Sequence, residues 1–366
     1  MKLKTISSLE KCFLDEDIDQ KKEYKRATML KNEIFHFCIT YVNEEGRDFF
    51  NFKIESEIAD YISAERIETV PVRQAANPAH ADEFFLRKTP GLYPDLLQPL
   101  EQNKRLIVTN QLKALMIEID PAGNVPAGAY TVKFVFENAS EKYSKCFEIE
   151  IIDAELPEQD LIYTQWFYCD SLADYYETEA FDDRHFKIIE DFAKTAVRYG
   201  VNMLLTPVFT PPLDTYVGGE RRTMQLVKIK KDNNVYSFDF SLLDKWIEMC
   251  NRIGVKYFEI PHFFTQWGAK AAPKIMAYVN GEYKRIFGWD TPADGEEYKE
   301  FLNAFIPAFL KHMKQNGGAD KRCFFHISDE PDEAQLEGFL KAKKIVEPLL
   351  DGYPIIDAIS SYKLYD

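Results

Sequence analysis

The sequence has no surplus of positive charge: 45 Lys and Arg against 60 Asp and Glu leave a formal net charge of −15. That excludes the clustered basic surface that nucleic-acid phosphates require. The one compact basic run, Lys228–Lys231, is interrupted by Ile229 and followed by Asp232-Asn233-Asn234, the pattern of a solvated hairpin end. Histidine is scarce, with six in the chain, no His-x-His and no His/Asp grouping at ligand spacing, so neither a metal nor a cofactor is expected. The six cysteines (Cys12, Cys38, Cys146, Cys169, Cys250 and Cys323) are far apart and form no Cys-x-x-Cys pair. Scattered thiols of this kind fit buried positions in a reducing compartment. No apolar run is long enough to span a bilayer, and Ser7-Ser8-Leu9-Glu10-Lys11 breaks up any secretory core near the N-terminus. The expected address is the cytoplasm, with no membrane partner.

What is present is an ordinary globular composition, 46% hydrophobic and 29% charged. Residues 1–155 read as β-rich. Phe50-Asn51-Phe52-Lys53-Ile54-Glu55 alternates strictly, as does Tyr130-Thr131-Val132-Lys133-Phe134-Val135-Phe136. Further strands are read at Glu33–Val42, Ala114–Asp120 and Phe147–Ile152, with turns at Asn43–Gly46 and Pro121–Gly128. Short strands with little helical periodicity predict an N-terminal antiparallel β-sandwich.

From residue 156 to 366 the rhythm changes. Strands are predicted at Leu161–Cys169, Val201–Leu205, Lys256–Ile260, Cys323–Ser328 and Ile355–Ile359. Between them lie helices at about Asp182–Tyr199, Phe240–Ile253, Glu296–Gln315 and Glu333–Leu349, and Pro307 should kink the third. Regular alternation means a parallel sheet, and a (β/α)8-type barrel is the first choice. A doubly wound sheet ranks second, because no Gly-rich phosphate loop follows any strand. The long connections, Pro207–Phe238 and Pro261–Gly295, both follow strand ends, where a barrel keeps its catalytic face. A full barrel takes about 250 residues, more than remain after Leu161. The expectation is therefore a barrel truncated after about five strands, a piece of a longer protein. Alone, it should expose sheet edges, associate and turn over little substrate.

The sharpest chemical signal is Phe324-Phe325-His326-Ile327-Ser328-Asp329-Glu330-Pro331, an apolar strand running into two adjacent carboxylates. The pair equally suits capping of the next helix. Read as chemistry, the charge of Asp329 disfavours ionisation of Glu330 and leaves it able to act as a general acid. Sequence neighbours are poorly placed to flank a sugar ring as the two carboxylates of an ordinary retaining glycosidase do. They fit the substrate-assisted exception, in which a 2-acetamido oxygen attacks the anomeric carbon.

His326-Ile-Ser-Asp-Glu-Pro331 resembles the catalytic strand of glycoside hydrolase family 123. So do Leu205-Thr-Pro-Val-Phe-Thr-Pro-Pro-Leu-Asp-Thr215, His262-Phe-Phe-Thr-Gln-Trp-Gly268 and Phe287-Gly-Trp-Asp290, while Gly91–Leu97 and Val125–Tyr130 resemble its N-terminal sandwich. The resemblance implies a β-N-acetylgalactosaminidase-like retaining enzyme acting on a 2-acetamido glycoside, with Glu330 as general acid/base and Asp329 orienting the acetamido group. Further pocket candidates are Trp166, Tyr168, His262, Trp267, Trp289 and His326, each of which also suits core packing. The rival readings are a metal-dependent barrel hydrolase, which the scarcity of ligands disfavours, and a non-catalytic carbohydrate-binding or scaffolding protein on the same fold.

Overall fold

The structure is a computed structural model that describes residues 1–358 except 78, 80, 101–104, 214 and 267. The chain divides into two compact units, Met1–Glu158 and Gln159–Asp366.

The first unit holds ten strands: β1 (Lys2–Ser7), β2 (Arg26–Leu30), β3 (Phe35–Val42), β4 (Asp48–Glu55), β5 (Ile62–Val72), β6 (Gly91–Pro99), β7 (Arg105–Val108), β8 (Lys113–Ile119), β9 (Gly128–Glu137) and β10 (Lys142–Ile152). They form two sheets, in the orders β1-β3-β8-β5-β6 and β2-β10-β9-β4-β7. Alternation along each strand points one set of side chains inward. Phe37 and Ile39 of β3 and Ile117 and Ile119 of β8 thus meet Phe52 of β4, Phe134 of β9 and Phe147 of β10 in one core. Phe37 and Phe147, one from each sheet, stack with ring centroids 3.9 Å apart. Among the described residues, the expected antiparallel pairing holds for every strand pair of this unit but one: β2 runs parallel to β10.

In the second unit five strands form a parallel sheet in sequence order: β11 (Thr164–Gln165), β12 (Met203–Leu205), β15 (Tyr257–Ile260), β18 (Cys323–His326) and β19 (Ile355–Ile356). This is a half-barrel sheet. Five helices accompany it: α1 (Cys169–Tyr175), α2 (Asp183–Arg198), α3 (Ser241–Ile253), α4 (Glu296–Gln315) and α5 (Leu336–Val346). Asp182 caps α2 by accepting from the His185 N–H at 2.6 Å. Gly254, at φ 90°, ends α3 in the left-handed conformation that glycine adopts without strain. α4 runs on through Pro307 and buries Tyr298, Phe301, Phe305 and Phe309 along one stripe. Each fully buried aromatic of that kind contributes roughly 1.5–3 kcal/mol.

Two sequence expectations change here. The strand expected at Leu161–Cys169 is only Thr164–Gln165, because Cys169 already opens α1. The two long connections are not plain loops. They contribute the hairpins β13 (Lys228–Asp232) with β14 (Val235–Asp239) and β16 (Ile275–Val279) with β17 (Glu282–Phe287). The hairpins join into a four-stranded sheet ordered β14-β13-β16-β17. Ile359, the expected end of the fifth strand, lies outside the described residues. Among the described residues, no helix is long and apolar enough to cross a membrane.

Candidate active site

The C-terminal ends of the five parallel strands gather most of the chemistry. On β18, Phe325 packs toward α4, its ring 6.3 Å from that of Phe309. Alternation therefore turns the next residue, His326, to the opposite face. There its Nε2 lies 2.7 Å from Oε1 of Glu259 on β15. Glu259 is 1% exposed and His326 4%. The Trp166 indole N–H donates to the same Oε1 at 3.0 Å, and the Thr164 hydroxyl donates to Oε2. Burial alone would raise the Glu259 carboxyl; the hydrogen bond and charge of His326, with Thr164 and Trp166, outweigh it and hold the group below its ordinary range.

Four of the sequence-derived candidates form one aromatic chain. The Tyr168 and Trp166 rings are 6.5 Å apart, Trp166 meets His262 edge-on at 5.8 Å, and His262 stacks on His326 at 4.3 Å. His262 is fully buried, and neither of its ring nitrogens finds a hydrogen-bond partner among the described residues. Burial, reinforced by the charge of His326, pushes its pKa well below the ordinary histidine value, so the ring is neutral. It lies beneath the surface, against Trp166 and His326. Trp166 and Tyr168 are half-buried.

Beyond His326 the chain leaves the sheet. Ile327 and Ser328 are buried, Asp329 is half-buried and Glu330 is exposed. The two carboxylates therefore occupy different environments despite being neighbours. Glu330 takes φ 42°, a left-handed conformation uncommon for a residue with a side chain and concentrated at functional sites. The turn is anchored from beside: the Ser328 hydroxyl donates to the Thr265 carbonyl at 2.9 Å, and the Phe264 N–H donates to the Ile327 carbonyl at 3.0 Å. The loops after β15 and β18 are thus stitched together.

Trp289 sits apart from the aromatic chain. Its indole N–H donates to the Gly219 carbonyl at 2.9 Å, beside a small cavity also lined by Arg221, Thr265 and Lys274. Arg221 connects that area to the aromatic chain, since its guanidinium lies 4.2 Å from the Tyr168 ring centroid and pairs with both oxygens of Asp170. Trp267 lies outside the described residues. A cavity of about 450 Å³ lined by Phe181, Arg222, Met276 and Tyr283 touches neither Asp329 nor Glu330.

Two site residues were missed from sequence. Glu259 is a lone carboxylate inside the apolar run Tyr257-Phe258-Glu259-Ile260, and that incongruity was the available signal. Asp357 follows Ile355-Ile356 at the end of β19, as Asp329 follows β18 by a short step. Among the described residues, no three His, Cys, Asp or Glu side chains gather as a metal site.

Comparison with known proteins bears on the whole arrangement. No curated protein matches the chain. Among solved structures, a family 123 glycoside hydrolase from Clostridium perfringens, analysed for glycolipid glycan hydrolysis, superposes with a TM-score of 0.72 at 16% identity, over 100% of this chain and 66% of its own. The chain thus spans about two thirds of that protein's length, and the likeness is one of fold. A β-glucuronidase from Parabacteroides merdae aligns over 90% of this chain and 32% of its own at 11% identity, but its TM-score of 0.23 is too low to carry an argument. The sequence model of the glycoside hydrolase 123 catalytic domain matches residues 166–366, more than half of the chain. The chain belongs to the glycoside hydrolase 123 family.

Proposed function

We propose that the protein is a retaining glycoside hydrolase that removes terminal β-linked 2-acetamido-2-deoxy sugars, N-acetylgalactosamine first among them, by substrate-assisted catalysis. On this reading the five parallel strands are one side of a (β/α)8 barrel with the pocket at their C-terminal ends. The observation that carries it is the divergence of two adjacent acids at the end of β18, Asp329 half-buried and Glu330 exposed on a left-handed turn. Acids so close in sequence are poorly suited to attack a ring from opposite faces, and well suited to serve one face together.

Glu330 gives its proton to the glycosidic oxygen while the substrate's acetamido oxygen closes on the anomeric carbon. The aglycone departs as an alcohol and an oxazolinium ion remains. Asp329 accepts the acetamido N–H and stabilises the positive charge that develops there. Glu330, now a carboxylate, takes a proton from water, which opens the oxazolinium ion at the anomeric carbon and restores the β configuration. Trp166, Tyr168 and His326 wall the sugar, with His262 behind them. The family 123 enzyme from Clostridium perfringens was analysed for hydrolysis of glycolipid glycans, which makes a glycan carried on a lipid a sensible first natural substrate to offer.

Kinetics on aryl 2-acetamido glycosides test the reading. Glu330→Gln should lower kcat on poor leaving groups by about 10²–10⁴, and by much less on activated aryl groups that need no proton. Asp329→Asn should slow every 2-acetamido substrate. A thiazoline analogue that fails to inhibit an active protein sinks the substrate-assisted route, and sugar binding without turnover favours the non-catalytic carbohydrate-binding alternative.

A further inference from the structure

Glu259 has no part in the proton transfers just described, yet it is the most completely buried carboxylate near the site. Taking a charge out of water costs several kcal/mol unless hydrogen bonds replace the lost solvent. Here three side chains do so, and they come from two other strand ends: Thr164 and Trp166 at β11, and His326 at β18. Glu259 thus ties β11 and β18 to β15. An ionised carboxylate only accepts hydrogen bonds, so the proton between Glu259 and His326 belongs to the imidazole Nε2. That fixes the orientation of the ring and the direction in which the other nitrogen points. Nδ1 of His326 is buried and finds no partner among the described residues, and the ring is held from behind by the His262 stack. Buried polar atoms are as a rule hydrogen-bonded, so Nδ1 is the atom through which this assembly meets a ligand.

We propose that Glu259 is a positioning residue that acts through His326, locking Nε2 toward itself so that Nδ1 is presented in a fixed position to hydrogen-bond a hydroxyl group of the bound sugar. The proposal rests on the glycosidase reading for the identity of the ligand. His326 stands three residues before Asp329 on the same strand end, so a hydroxyl held there sets the sugar ring relative to the acid pair. Glu259→Gln keeps the size of the side chain and an acceptor for Trp166 or Thr164. It removes the obligatory acceptor for Nε2–H, because an amide can turn its NH2 to the ring instead.

Long-range proton–nitrogen NMR on the full chain with 15N-labelled histidine, read with thiazoline-analogue titrations, tests this. The His326 signals are assigned by their loss in His326→Asn. In the wild type the ring should carry its proton on Nε2, and in Glu259→Gln the population should move toward the Nδ1–H form. Binding of the thiazoline analogue should weaken about tenfold or more in Glu259→Gln, the scale of one hydrogen bond to the ligand. The double variant Glu259→Gln/His326→Asn should bind no worse than His326→Asn alone. Losses that multiply in the double variant overturn the proposal. So does a wild-type ring whose Nε2 carries no proton, whatever the chain binds and whether or not Glu259→Gln folds. A wild-type protein with the Nε2–H ring that binds no 2-acetamido sugar instead removes the glycosidase reading, and with it the sugar as the ligand of Nδ1.

Discussion

Asp357 carries a carboxylate at the end of β19 that accepts the N–H of Ala358 at 2.9 Å and the backbone N–H of Ser328, and its Oδ2 finds no partner among the described residues. Burial pushes its pKa from the ordinary 3.8 up to about 6; the charge of His326 and the two backbone N–H groups oppose that rise, and the charge of Asp329 adds to it. The folded chain therefore holds a proton on Asp357 between about pH 4 and pH 6 that the unfolded chain has released. This contribution to stability is full below the unfolded value and is lost as pH rises through the folded one. Asp357→Asn keeps an acceptor for both N–H groups and removes the titration. It should stabilise the protein at pH 7 by up to about 3 kcal/mol, at about 1.4 kcal/mol per pKa unit. The gain should vanish near pH 4. Thermal melts of both proteins from pH 4 to pH 8 check this, and a difference in Tm that does not grow with pH contradicts it. At the same scale, the acid pair Asp329 and Glu330 stood out in the sequence because a proline stops the strand just after them. Glu259 and Asp357 did not stand out. Each is a single acid beside apolar residues, and its meaning comes from neighbours on other strands.

Between elements, the closest approach near the site joins α5 to the loop after β15. A Cβ built on Gly338 of α5 would lie 2.6 Å from the Gly268 carbonyl oxygen, closer than real Cβ contacts come. Gly268 itself sits at φ 92° against the side chain of Gln335. In an exposed helix, alanine in place of glycine is favourable by about 1 kcal/mol. Here the backbone collision decides the sign, and Gly338→Ala should destabilise by about 1–3 kcal/mol, as overpacking does. It should also weaken sugar binding, because the displaced loop carries the Thr265 carbonyl that anchors Ser328. A raised Tm with unchanged binding would count against the contact. Four of the five helices of this unit were legible in sequence, since apolar spacing placed α2 and α3 close to their observed limits; the short α1 was not. The parallel strands were overextended. They are short, and the apolar run from Leu161 to Cys169 continues past β11 into a loop and the start of α1. The hairpin end read at Lys228–Asn234 is the turn between β13 and β14, but β16 and β17 were missed, because β17 is rich in lysine, glutamate and tyrosine and shows little apolar alternation. Asn280-Gly281, at φ 50° and 90°, was the overlooked signal, a two-residue turn of the kind that closes hairpins.

At the scale of the molecule, each unit has a core of its own. The core of Met1–Glu158 draws on both of its sheets and includes Phe37, Phe52, Phe134, Phe136 and Phe147, each no more than 1% exposed. A second, smaller cluster lies on the outer face of the first sheet, where Cys12 and Ile18 from the segment after β1 cover Ile6, Cys38 and Ala114. The first sheet is thus packed on both faces from within residues 1–158. That span is in the usual range for a domain, and among the described residues its strands pair with one another. Residues 1–158 produced alone should therefore fold and melt in one cooperative transition. The heat-capacity change should be about 2 kcal/mol/K, from 12–15 cal/mol/K per residue. Scanning calorimetry should return equal calorimetric and van't Hoff enthalpies. If the isolated segment instead binds a dye for exposed apolar surface and melts without a heat-absorption peak, its two sheets do not suffice to form this core, and Gln159–Asp366 must supply part of its stability.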